Sequence, residues 1–324
     1  MDIVIAGGGP AALECAIAAR KYDPEAKIAI YSGESLLPYR RPALSGLLAA
    51  GKKVEEKSFF IKTPEFLAAE NIAFHPDSRA MAVNGKVLEL ASGQTIAFDR
   101  LIIACGSNAV MPPIPGNGNK NVFTLRSYSD MLKIREILDK GIKNAVVIGG
   151  GVLGLEIAES LLSRQIAVNV FEAAPRLFAN TSLSDEDAGA LLGRLNSIPL
   201  LKIICGKSVN AILPDSVESA DGTVYPAEIV IFAAGSRPDL TLAQSAGVKC
   251  NRGIVVDEYM RSSREDILAA GDSAEFNGRC FNLYMDAVAG GKVAGTNAAG
   301  GNALFTARFS PVRFFGLGEK LVLD

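Results

Sequence analysis

A run of glycines wedged between a strand-length apolar stretch and a helical pattern occurs twice in this chain, and that repetition limits the fold more than any other feature. Ile3-Val4-Ile5-Ala6 leads into Gly7-Gly8-Gly9-Pro10-Ala11-Ala12, a helical pattern from about Ala11 to Lys21, and a second strand-like run, Lys27-Ile28-Ala29-Ile30-Tyr31. The same order restarts at Asn144-Ala145-Val146-Val147-Ile148. It passes through Gly149-Gly150-Gly151-Val152-Leu153-Gly154, a helix from about Leu153 to Arg164, and Ala167-Val168-Asn169-Val170-Phe171. Each copy is a βαβ unit, which implies a parallel sheet with helices on its faces.

Between the copies, the proline- and glycine-rich stretch Met111 to Asn119 reads as a crossing between domains, because proline cannot serve a central ladder. Gly235-Ser236-Arg237-Pro238 marks the return, and Leu240 to Asp324 carries no glycine signature of its own. At 324 residues the chain is long enough for two domains, each with its own core. The expectation is an α/β protein with two Rossmann-like domains, the second inserted in the first. Residues 1–110 and 238–324 form one domain and 111–237 the other.

The glycine positions have separate jobs. Gly7 and Gly149 permit a tight turn, Gly9 and Gly151 let backbone approach a pyrophosphate, and Ala12 and Gly154 are small enough for helix and strand to close. Pro10, Ala11, Val152 and Leu153 open helices whose free N–H groups face the phosphates. One such signature can be a bare turn, but two in the right strand-to-helix context point to two dinucleotide sites. A carboxylate ending the second strand of such a unit accepts from ribose hydroxyls and repels a 2′-phosphate. Glu172 stands there in the second unit, which predicts NADH over NADPH, with Arg176 as the residue able to soften that preference. In the first unit Ser32 takes the equivalent place and Glu34 follows two residues later.

Composition excludes several chemistries. A net charge of −2 with scattered Lys and Arg gives no basic surface for nucleic acid or anionic lipid. The amino terminus enters a strand at Ile3 with no basic leader, so no secretory or membrane-spanning segment is expected. Five cysteines, at 15, 105, 205, 250 and 280, are odd in number and far apart; they form no disulfide framework and no Cys-x-x-Cys site, which fits a reducing cytoplasm. The one histidine, His75, ends a strand-like run before Pro76 and reads as structural, since alone it builds neither triad nor metal cluster. No metal site is expected.

Further marks lie at the crossings and near the end: Leu101-Ile102-Ile103-Ala104-Cys105-Gly106-Ser107, Ala233-Ala234-Gly235-Ser236-Arg237-Pro238 and Ile267-Leu268-Ala269-Ala270-Gly271-Asp272. With the two cradles, and in this order, they resemble the FAD- and NAD-linked pyridine nucleotide-disulfide oxidoreductase superfamily over essentially the whole chain. Leu37-Pro38-Tyr39-Arg40-Arg41-Pro42-Ala43-Leu44-Ser45, Tyr128-Ser129-Asp130 and Ala274-Glu275-Phe276 are most similar to NADH:rubredoxin oxidoreductases and the flavoprotein portion of nitrite reductases.

The resemblance implies FAD at the first cradle and NADH at the second. Around FAD it places Gly7, Gly9, Pro10, Ala11, Ala12, Ser32, Glu34, Ala104, Cys105, Gly106, Arg126 and Gly271, with Asp272 on the ribitol and Arg41, Pro42 and Leu44 near the isoalloxazine. A helix beginning near Ala287 is implied to aim its positive end at the flavin. Around NADH it places Gly149, Gly151, Val152, Leu153, Gly154, Glu172, Ala234 and Gly235, with Glu156 at the nicotinamide carboxamide. Two departures stand out: Cys105 replaces a threonine, and Gly290 falls where relatives tend to have glutamine. Ser310-Pro311-Val312-Arg313-Phe314-Phe315 resembles the opening strand of a third domain that relatives carry, so the chain reads as ending where that domain begins.

The implied reaction is hydride transfer from NADH to FAD, then electron delivery to a small carrier such as rubredoxin, with positioning in place of a catalytic side chain. A disulfide-reductase branch would need a cysteine pair near the flavin, and Leu44-Ser45-Gly46-Leu47 has no cysteine. Cys15 is expected to pack within the first helix, and Cys105 to lie near FAD without a resolving partner. An NADH oxidase, a nitrite reductase flavoprotein and a non-catalytic FAD- and NADH-binding module stay open as alternatives, as does the oligomeric state.

Overall fold

The computed structural model describes residues 1–306 and 309–323, which divide into two compact units. The first contains Met1–Arg40, Glu55–Asn108 and Arg237–Ser310; the second contains Arg41–Val54, Ala109–Ser236 and the chain from Pro311 onward. The stretches 41–54 and 311–323, expected from the sequence in the first domain, fall in the second unit. The first of these stretches joins the second unit through the helix Val152–Leu162: Ser160 Oγ donates to Ser45 O at 2.8 Å, and Arg164 Nε donates to Leu48 O. Phe314, fully buried and 6.1 Å from the Phe178 ring, is one of the residues that draw in the chain end.

In the first unit five strands lie in the order Ile267–Ala269, Arg100–Ile103, Asp2–Ala6, Lys27–Tyr31, Ile72–His75, all parallel. Ile3, Val4, Ile5 and Ala6 are all buried, as an all-parallel sheet covered on both faces requires. On one face the helices Pro10–Tyr22 and Tyr284–Ala298 pack closely. Small residues make this approach possible: a Cβ on Gly291 would lie 2.6 Å from Ala11 O, and one on Gly295 would lie 2.0 Å from Cys15 O. Cys15 is completely buried in that seam, in the packing role expected of it.

The second unit repeats the plan. Its parallel strands run Leu201–Cys205, Ala167–Glu172, Asn144–Ile148, Ile229–Phe232, Val122–Thr124. Each unit also carries a three-stranded antiparallel meander just before its returning parallel strand, built from residues 80–97 in the first and 209–226 in the second. These meanders had no counterpart in the sequence reading, because their short strands lack a long apolar run. His75 ends its strand stacked on Tyr31, ring centroids 4.6 Å apart, consistent with a structural role.

Candidate dinucleotide sites

The two cradles share the geometry of their glycine turns. Gly7 (φ +127°) and Gly149 (φ +119°) adopt backbone that a side chain resists, and a Cβ on either would meet the carbonyl ending a neighbouring strand, Ala104 O at 2.1 Å or Ala233 O at 2.3 Å. Each turn is tied to the next strand by the same bond: Gly7 N donates to Tyr31 O and Gly149 N to Phe171 O, both at 2.8 Å. Gly154 is forced as well, since its Cβ would stand 1.9 Å from Gly149 O; Ala12, fully buried, takes the same place in the first unit.

Gly9 and Gly151 behave differently. Their backbones are ordinary extended N-cap conformations, and a Cβ on either meets nothing within 4 Å. Among the described residues nothing demands glycine there, and the open side of the turn is where a phosphate would approach. The helix ends agree. Helices opened by Ser127 and Ser184 take a side-chain cap, whereas those opened by Gly9, Gly151 and Leu283 have none. An uncapped helix N-terminus leaves backbone donors for an anionic ligand. Leu153, half-exposed at the start of its helix, and the exposed Ala234 and Gly235 complete the rim of the second cradle, beside the half-buried Val152. FAD and NADH suit these residues.

At the end of the strand that follows the second cradle helix, Glu172 accepts from Gly150 N and from Ala174 N, each at 2.8 Å. A Cβ on Gly150 would lie 2.8 Å from Leu177 Cδ2 and 3.0 Å from Glu172 Cβ, so Leu177, unmarked in the sequence, packs against the turn beside Glu172. The structure corrects the expectation for Arg176. Its guanidinium donates to the carbonyls of Leu177, Phe178 and Ala179 and pairs with Asp185 at 2.7 Å. The residue that looked able to accept a 2′-phosphate is spent on closing its own loop.

The first cradle ends in Ser32, whose hydroxyl both accepts from Glu34 N and donates to Glu34 O. A Cβ on Gly8 would touch that hydroxyl at 2.1 Å, just as Gly150 faces Glu172. The Glu34 carboxylate accepts from Tyr39 Oη at 2.7 Å. Pro10 opens the cradle helix, and Ala11 lies 2.8 Å from where a Cβ on Gly271 would be. Asp272, in the short 3-10 turn Gly271–Ser273, accepts from Ser107 Oγ at 3.1 Å. Gly106 holds positive φ (+76°) and accepts from Asp239 N. Ser107 closes the crossing motif Leu101–Ser107, whereas Arg79, which packs against Gly33, is a neighbour that no sequence signal set apart.

The helix expected near Ala287 begins three residues earlier, at Tyr284; the N–H of Ala287 is already taken by Leu283 O at 2.9 Å. Leu283 supplies no capping side chain that would mark the start more closely in the sequence. At Gly290 the space a side chain would need is filled: a Cβ would lie 3.1 Å from the Phe281 ring.

Within the second unit Arg41 donates to Arg126 O at 2.8 Å, Pro42 opens the short helix Ala43–Gly46, and Leu44 is buried. Glu156 accepts from Ser45 Oγ at 2.8 Å. Burial raises the Glu156 carboxyl above its ordinary value; the Ser45 bond pulls it back, and Glu159 one turn on adds to the rise. Among the cysteines, all free, burial pushes Cys105 up to about 12, and its thiol lies 3.5 Å from Ala6 O. No described helix is long and apolar enough to cross a membrane.

Residues 1–299 match the family described as pyridine nucleotide-disulphide oxidoreductase. The NADH-rubredoxin oxidoreductase of Clostridium acetobutylicum is 32% identical over 309 residues, 94% of this chain and 76% of that protein. The epsilon subunit of the NADH-dependent phenylglyoxylate dehydrogenase of Aromatoleum evansii is 29% identical, over 92% of this chain and 72% of that protein. Among solved structures, an NAD-dependent persulfide reductase from A. fulgidus matches with a TM-score of 0.91 at 29% identity; the match covers 98% of this chain and 62% of that one.

Proposed function

The chain belongs to the pyridine nucleotide-disulphide oxidoreductase family, and on that premise we propose that it carries electrons from NADH through FAD to a small redox protein. The observation that carries this reading is the doubled cradle. Two glycine turns of one geometry, each ending in an uncapped helix, give one chain two dinucleotide sites. FAD supplies the chemistry that joins them, taking a hydride from NADH and releasing electrons singly.

In this reading the protein binds and orients. Gly7, Gly9, Pro10, Ala11 and Ala12 hold the FAD pyrophosphate, with Ser32 and Glu34 at its ribose and Asp272, oriented by Ser107, at its ribitol. Ala104, Cys105, Gly106, Gly271 and Ala287 line the same site. Gly149, Gly151, Val152, Leu153, Gly154, Ala234 and Gly235 hold NADH, with Glu172 on its ribose and Glu156 on its carboxamide. Arg176, engaged with its own loop, leaves Glu172 unopposed and supports NADH over NADPH.

The rubredoxin in the name of the Clostridium relative indicates the class of acceptor. The five free cysteines, each with its thiol pushed up chiefly by burial, support a path without an enzyme thiolate and a place in the reducing cytoplasm. The test is anaerobic addition of NADH to the FAD-loaded protein. The flavin absorbance should bleach with one NADH per flavin, and flavin that stays oxidised would refute the reading.

A further inference from the structure

We infer that Asp286 sets how readily the flavin accepts electrons, an inference that rests on FAD being held at the first cradle. Two helices of the first unit begin beside the Gly271–Asp272 turn. A Cβ on Gly271 would stand 2.8 Å from Ala11 Cβ, on the cradle helix, and 4.0 Å from Ala287 Cβ, on the helix Tyr284–Ala298. Both helix starts lack a side-chain cap. Their free N–H groups and aligned dipoles favour negative charge at this place.

Asp286 opposes them. It is the third residue of its helix and only 4% exposed, and its Oδ1 accepts from Ser310 N at 2.9 Å and Ser310 Oγ at 2.7 Å. Those bonds hold the carboxylate inside the protein, on the first turn of the helix that the ligand meets. A buried anion is poorly screened and repels further negative charge nearby. The charge in question comes with the reaction: NADH loses two electrons and one proton to the flavin and leaves as NAD⁺, so the flavin gains one negative charge. Asp286 makes that gain costlier and lowers the flavin potential, which favours passing the electrons on.

Two substitutions separate charge from tether. Asp286→Asn keeps an oxygen acceptor for Ser310 but removes the charge, and Asp286→Ser serves as a second neutral variant if the first retains FAD poorly. Ser310→Ala keeps the charge and the backbone bond while removing one donor. The readout is the midpoint potential of the bound flavin, by anaerobic titration against a reference dye, at matched FAD content. The neutral variant should shift to more positive potential, so that the ratio of reduced to oxidised flavin at a fixed dye ratio rises about tenfold, while Ser310→Ala stays within about twofold of wild type. An unchanged potential in a FAD-loaded neutral variant, or an equal shift in Ser310→Ala, would overturn the inference. A wild-type protein that binds no FAD would instead refute the reading beneath it.

Discussion

Ser45 donates its hydroxyl hydrogen to Glu156 Oε2 at 2.8 Å, joining a segment with no glycine motif to the helix that opens the second cradle. The bond matters because Glu156 is half-buried and its carboxyl is raised by that burial. For an acid whose folded value lies above its unfolded one, the associated stability is present below the ordinary glutamate range. It is lost as pH rises through the folded value. Ser45→Ala removes a bond that favours the charged form, so it should move this loss to higher pH, and Glu156→Gln should abolish it. Thermal unfolding midpoints measured across pH, together with KM and kcat for NADH, check this. A profile in Ser45→Ala identical to wild type would disconnect the two residues.

The cradle glycines divide into those the fold requires and those the ligands require. Gly154→Ala puts a methyl 1.9 Å from Gly149 O and should destabilise the second unit by about 1–3 kcal/mol. Gly151→Ala meets nothing within 4 Å. It should therefore leave stability within about 0.5 kcal/mol while raising KM for NADH about tenfold. Melting curves beside NADH titrations distinguish the two, and a Gly151→Ala protein with wild-type NADH binding would contradict the assignment of the open side to the phosphates.

Much of this arrangement is legible in the residues themselves. The glycine spacing dictates the cradles because the turn clashes are backbone clashes, independent of distant sequence. Ser45 and Ser107 are not legible in that way: each acts on a carboxylate more than 100 positions away, Glu156 and Asp272, and no local pattern encodes such a pairing. Arg176 shows the opposite error. Its position near Glu172 suggested a role in phosphate binding, but the left-handed turn at Phe178 (φ +51°) brings carbonyls round to its guanidinium. The helix start at Tyr284 lacks the usual capping signal, so the sequence places it only as near Ala287.

Glu172 should govern the choice of nucleotide. Wild type is expected to show kcat/KM for NADH at least about tenfold above that for NADPH, and Glu172→Ala should narrow the gap. The substitution also frees the N–H groups of Gly150 and Ala174, so some loss of NADH affinity accompanies it. Equal kcat/KM values in the wild type would remove Glu172 from the discrimination.

No thiol should relay electrons. Cys105 is held near 12 by burial, with its thiol against Ala6 O, and Cys280 is raised by burial and by the carboxylate of Glu275. The Cys105→Ser, Cys280→Ser double variant, at FAD content matched to wild type, should keep most of its NADH-to-acceptor rate. Loss of that rate with flavin reduction intact would move the chain to the thiol-using branch.

The onward step to a small one-electron carrier is accessible to single-turnover mixing. Protein reduced anaerobically with one equivalent of NADH is mixed in a stopped-flow instrument with oxidised rubredoxin, and flavin and rubredoxin absorbance are followed together. The flavin should reoxidise at least as fast as steady-state turnover while two rubredoxins are reduced per NADH consumed. Flavin that stays reduced beside oxidised rubredoxin, and is reoxidised rapidly only when oxygen is admitted, would contradict that step and make the chain an NADH oxidase.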